Sequence, residues 1–155
     1  MRNLYRGKRV DDDEWVEGYL LQSNLIVPAG QIFDFCKYND RNIITSDSHF
    51  VFYEVIPETV GQHTGLIDKN GVKIFERDFL NGFHYPFLRD NSHNYFAEVV
   101  WFDDCPAFGL YTHKYPSSTI MGICEGNCEL MEEFDSSQWE VVGNRYDNLE
   151  LLEVK

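Results

Sequence analysis

Basic residues are scarce in this chain: 13 Lys and Arg stand against 26 Asp and Glu, for a formal net charge of −13. The deficit deepens toward the C-terminus, where residues 101–155 hold 11 acids and 3 bases. Gripping a nucleic-acid backbone depends on Lys and Arg that displace condensed counterions, so direct DNA or RNA binding is not expected. An anionic membrane surface is disfavoured for the same reason. Long apolar runs are also missing, which excludes a transmembrane helix within this sequence. The first residues, Met1–Asp13, are polar and carry no signal-type apolar stretch, so the expected location is the cytoplasm. There, the four cysteines, Cys36, Cys105, Cys124 and Cys128, are expected to be free thiols. Catalytic signatures are absent too: no H-E-x-x-H pair, no Gly-rich phosphate loop and no serine in a nucleophile elbow.

Aromatic residues, by contrast, are plentiful. They make up 15% of a chain of 155 residues whose hydrophobic share is 43%. Rings of this kind favour strands, and the total apolar content suffices for a core. Glu14–Leu21 reads as a first strand, followed by short ones at Asn24–Val27 and Gln31–Phe35 around Pro28-Ala29-Gly30. Phe50–Val55 is nearly all apolar and predicts a strand buried on both faces, ended by Pro57. Thr64–Leu80 predicts a hairpin turning at Asp68-Lys69-Asn70-Gly71, because Asn-Gly tolerates positive φ. Tyr95–Phe102 alternates with period two, placing Tyr95, Ala97, Val99 and Trp101 on one face. Ala107–Thr112 is its expected hairpin partner, and Asn81–Tyr95 reads as a long loop. Trp139–Asn144 predicts a further strand, and Asp147 is the expected cap of a short helix over Asn148–Val154.

Three blocks carry a family resemblance. They are Tyr5-Arg6-Gly7-Lys8 with Trp15-Val16-Glu17-Gly18-Tyr19; the run Ile56-Pro57-Glu58-Thr59-Val60-Gly61-Gln62-His63-Thr64-Gly65-Leu66-Ile67-Asp68-Lys69-Asn70-Gly71 followed by Ile74-Phe75-Glu76; and Trp139–Tyr146 followed by Glu150-Leu151-Leu152. In this order they resemble the YopX family, small proteins encoded mainly by phages and bacterial prophages. Two departures stand out. The family's Glu-Gly-Asp is here Glu76-Arg77-Asp78, and its Asn-Pro-Glu is here Asn148-Leu149-Glu150. The resemblance implies a prophage origin, self-association and a mainly β fold with an SH3-like barrel in the C-terminal part. It supplies no activity. The expected organisation is an N-terminal β segment over 1–58 and the barrel region with its short helix over 59–155.

Several constellations invite a function. The pair Cys124 and Cys128, with Cys105 and His113, lacks the second close ligand pair that structural zinc needs, so no metal and no cofactor are expected. His84, His93 and His113 lie among Asp90, Asp103 and Asp104, which suits a metal-dependent hydrolase as an alternative function. The polar run Gln62-His63-Thr64 reads either as side chains that satisfy backbone groups or as a binding loop. Tyr85 and Phe87, beside Pro86, are the rings expected to be exposed for contact, whereas Trp101 and Phe96 are expected in the core. The leading expectation is a non-enzymatic β module that binds a host or phage protein or a second copy of itself. An acidic decoy imitating DNA is the other alternative.

Overall fold

The computed structural model describes residues 3–22, 25–28, 53–82, 95–104, 106–114, 128–130 and 138–153. Over these the chain is mainly β, and it divides into two compact units, Met1–Gln62 and His63–Lys155.

In the first unit, strands β1 (Tyr5–Lys8), β2 (Trp15–Gln22), β3 (Leu25–Pro28) and β4 (Tyr53–Glu54) pair antiparallel in sequence order. The opening residues of strand β5 (Gly61–Ile67) pair with β1, Gly61 opposite Arg6 and Gln62 opposite Tyr5. Val16, Ile26 and Val55 form a small core, with Tyr5, Leu20, Tyr53 and Val60 packed on it. Gly7 is required here, because a Cβ would sit 3.0 Å from Val55. The strand expected over Phe50–Val55 is described only from Tyr53. There it is not buried on both faces, since Glu54 is exposed beside the fully buried Val55. A single 3-10 turn, Pro57–Thr59, links β4 to β5; Thr59 Oγ1 donates to Ile56 O at 2.7 Å and accepts from Lys8 N at 2.9 Å. Gln31–Phe35 lies outside the described residues.

Among its described residues the second unit holds β6 (Lys73–Phe75), β7 (Asp78–Gly82), β8 (Tyr95–Phe102), β9 (Ala107–Lys114), β10 (Cys128–Leu130), β11 (Trp139–Asn144) and the helix α1 (Glu150–Glu153). Five of these strands form an antiparallel sheet in the order β10-β9-β8-β7-β11. Ile74, Leu80, Tyr95, Ala97, Val99, Leu110 and Trp139 make its core. The β5–β6 hairpin turns where Asn70-Gly71 predicts, with Gly71 at φ 81°. Asp68 fastens that turn. Its Oδ1 accepts from Asn70 N at 2.8 Å and Val72 N at 2.9 Å, and its Oδ2 from Val141 N on β11 at 2.9 Å. The helix starts at Glu150, two residues later than expected, so Asp147 does not stand at its cap. Asp147 Oδ2 accepts from the Asn144 side chain at 3.1 Å, and Asn144 Oδ1 in turn accepts from Tyr146 N and Asp147 N.

Candidate functional site

Two features of the second unit stand out chemically, a buried ionic cluster and an aromatic groove.

The cluster centres on Glu98, in the middle of β8 and only 1% exposed. The pleat that puts Ala97 and Val99 in the core sends Glu98 to the opposite face. There Arg145 Nε and Nη2 donate to its two oxygens at 2.6 and 2.5 Å. Arg77 Nη1 donates at 3.2 Å and His113 Nε2 at 3.0 Å. Burial pushes the Glu98 carboxyl up. The hydrogen bonds from His113, Arg145 and Arg77, with the charge of Arg145, outweigh it and hold the group at about 2. Arg77 reaches this position with φ at 68°, the left-handed region that glycine occupies without cost. This accounts for the glycine usual at the matching place in the Glu-Gly-Asp pattern. The backbone there is fixed on both sides, Arg77 N donating to Val99 O and Arg77 O accepting from Arg145 N. Every oxygen of Glu98 is engaged, so the cluster joins four segments and leaves no carboxylate or imidazole poised for a substrate.

That geometry lends the hydrolase reading no support. His113 is committed to Glu98 and packs on Tyr111, with ring centroids 4.8 Å apart. Asp103 and Asp104 lie exposed in the β8–β9 turn, away from any such arrangement. Among the described residues no group of three His, Cys, Asp or Glu is placed to hold a metal. His84, His93, Asp90, Cys105 and Cys124 lie outside the described residues, and Cys128 is placed only as the first residue of β10.

The groove has a volume of about 390 Å³ and is lined by Thr64, Gly65 and Leu66 on one side and by Trp101, Pro106, Ala107 and Phe108 on the other. A local irregularity builds the first wall. Strand β5 places three residues between His63 and Ile67 where β6 places one between Phe75 and Lys73, so Thr64–Leu66 bulge out of the ladder. Gly65 makes the bulge possible, at φ 89° and with open space where a Cβ would stand. Thr64 Oγ1 stabilises it by donating to Ile74 O at 2.9 Å and accepting from Leu66 N at 3.2 Å. His63 Nε2 donates to Leu66 O at 3.0 Å, and its ring lies 5.2 Å from that of Phe75. The second wall is the β8–β9 hairpin, in which Trp101 pairs with Phe108. Their rings meet edge to face at 4.9 Å. Leu66 and Phe108 pack on the rim of the core. Trp101 continues beyond it and is 41% exposed, which corrects its assignment to the core. Phe96 is buried as expected, against Phe79 at 5.1 Å.

Of the residues singled out in the sequence, Thr64 lines this groove and His63 supports its wall. Gln62 is half-buried in the first unit opposite Tyr5. Tyr85 and Phe87 lie outside the described residues. Sequence reasoning missed Trp101, Phe108 and Leu66 as groove residues. Their one signal was the pairing of an aromatic strand end with Pro106-Ala107-Phe108 across a turn.

Comparison with known proteins agrees with the resemblance. A solved structure, that of protein EF1440 from Enterococcus faecalis, is similar over 97% of this chain and 97% of its own, at 23% identity and a TM-score of 0.43. No curated protein matches. The pattern described as YopX protein matches residues 4–153, nearly the full length, and the chain belongs to the YopX family.

Proposed function

We propose that this chain is a prophage-encoded accessory protein that works by holding a host or phage protein in the Trp101 groove. The observation that carries the reading is the position of Trp101. A half-exposed indole set edge to face against Phe108, beside a concave wall, is the kind of rigid aromatic anchor that dominates protein–protein contacts. In this reading the second sheet belongs to an SH3-like barrel, and the acidic surface keeps the protein soluble in the bacterial cytoplasm. A second copy of the chain is the other occupant that the same groove would take.

Affinity purification of the tagged protein from its host tests this. A partner held in the groove co-purifies with the wild type and with Glu150→Gln, and is lost with Trp101→Ala. Retention of every partner by Trp101→Ala refutes the proposal. Light scattering on the purified chain identifies a second copy: a dimer mass that Trp101→Ala reduces to monomer assigns the groove to self-association.

A further inference from the structure

Resting on that reading, we infer that the groove is selective for a basic, extended segment of its protein partner, with an Arg or Lys side chain laid across Trp101. The argument is charge complementarity. The two strands of the groove's second wall are joined by a turn that begins Asp103-Asp104, directly after Trp101-Phe102 and just before Pro106. Both aspartates are exposed. Neither forms a salt bridge or hydrogen bond with a described residue, in contrast to Asp11 and Asp12, which pair with Arg9. Among the described residues no Lys or Arg lines the groove. Among the described residues the two acids therefore have no cationic partner, and they stand in the turn between the groove residues Trp101 and Pro106, on a chain whose net charge is −13.

An occupant with the opposite charge gains three things at this one place. Its cation meets the negative face of the indole, an attraction that grows as water is excluded. Its aliphatic stem covers Leu66, Phe108 and Pro106, as long basic side chains do along apolar surface. Its charge is balanced by the Asp103-Asp104 turn, and approach is steered by the field of the acidic protein. An acidic or neutral occupant meets the same rings but finds two uncompensated carboxylates in the turn beside them. The groove volume, about 390 Å³, lies at the small end of ligand clefts and suits a few side chains rather than a whole helix.

The test uses the full chain and three fluorescein-labelled dodecapeptides of one apolar framework of Leu and Pro. One carries Arg and Lys at alternate positions, one Glu and one Ser, and anisotropy reads binding at ~150 mM salt, where screening confines charge effects to within ~8 Å. The expected result is saturable binding of the basic peptide alone. It weakens about tenfold in Asp103→Asn with Asp104→Asn, as the loss of two exposed ion pairs implies. The same charge change at Glu150→Gln with Glu153→Gln, on the helix, leaves the affinity within about twofold. Equal weakening by both double variants shows a bulk charge effect and overturns the inference, as does failure of the basic peptide to bind. If the Ser peptide binds as tightly as the basic one and Trp101→Ala abolishes both, the groove reading stands and the basic selectivity falls. If Trp101→Ala leaves basic-peptide binding unchanged, the groove reading falls too.

Discussion

At the scale of single residues, the second unit is organised by two carboxylates. Glu98 accepts four hydrogen bonds from two arginines and a histidine, and Asp68 accepts three from backbone amides. Removing a buried partner costs more than the pair contributes, because the remaining groups are left without compensation. Glu98→Gln is therefore expected to destabilise the protein by roughly 3 kcal/mol in urea denaturation, with an unchanged m value. Its pH dependence has a fixed sign. The folded carboxyl is lowered from 4.5 to about 2, so its contribution is complete above pH ~4.5 and fades as pH falls toward ~2. That contribution amounts to about 3 kcal/mol. The variant should show a flatter stability profile than the wild type across that window; parallel profiles would show that Glu98 is not the group responsible. Asp68 is likewise lowered, burial pushing it up and the amides of Val141, Val72 and Asn70 pulling it down further. Asp68→Ala orphans those amides, with an expected loss of about 3 kcal/mol. Arg77 separates two effects cleanly. Arg77→Gly and Arg77→Ala both delete the ion pair, but only glycine relieves the positive φ. The glycine variant should be the more stable of the two by about 1 kcal/mol. Equal stabilities would mean that the backbone there is not strained.

At the scale of elements, the sequence exposed the hairpin and β8 well. Asn70-Gly71 identifies its own turn because few residues accept positive φ, and period two in Tyr95–Phe102 fixes which side chains share a face. It did not reveal how far the core extends along that face. Tyr95, Ala97 and Val99 are covered by Ile74, Leu80, Leu110 and Trp139, whereas Trp101 runs past them into the groove. Burial depends on what the rest of the chain places opposite, which alternation does not encode. The Glu98 cluster was hidden for a related reason. Its partners stand 15, 21 and 47 residues away in sequence and meet only in the folded sheet. The bulge at Thr64–Leu66 lay inside the family block, but a glycine in a strand signals a bulge without saying what it re-aims. Between β8 and β11, Gly82 on β7 has no room for a side chain. A Cβ there would stand 2.7 Å from Gln138 O and 2.9 Å from the Trp139 ring. Gly82→Ala is expected to lower the melting temperature by pushing β11 off β7, whereas Gly65→Ala, where space is open, meets only the cost of its φ.

At the scale of the whole molecule, the excess of acid and the aromatic groove act together. The charge repels phosphate backbones, so a shift assay with duplex DNA at ~150 mM salt should show no retardation at micromolar protein. The basic partner proposed above would be drawn by the same field toward the turn beside Trp101. The proposed function is local, a contact between one groove and one protein segment, on a chain that matches the YopX family over residues 4–153. The three tryptophans, Trp15, Trp101 and Trp139, give three indole N–H signals in a nitrogen–proton correlation spectrum. Titration of the labelled protein with a partner that co-purifies tests the central claim most directly. The account predicts that the Trp101 indole and the amides of Thr64–Leu66, Ala107 and Phe108 shift first and furthest, while the buried Trp139 indole stays in place. Shifts that spare Trp101 and gather in the first unit would contradict it.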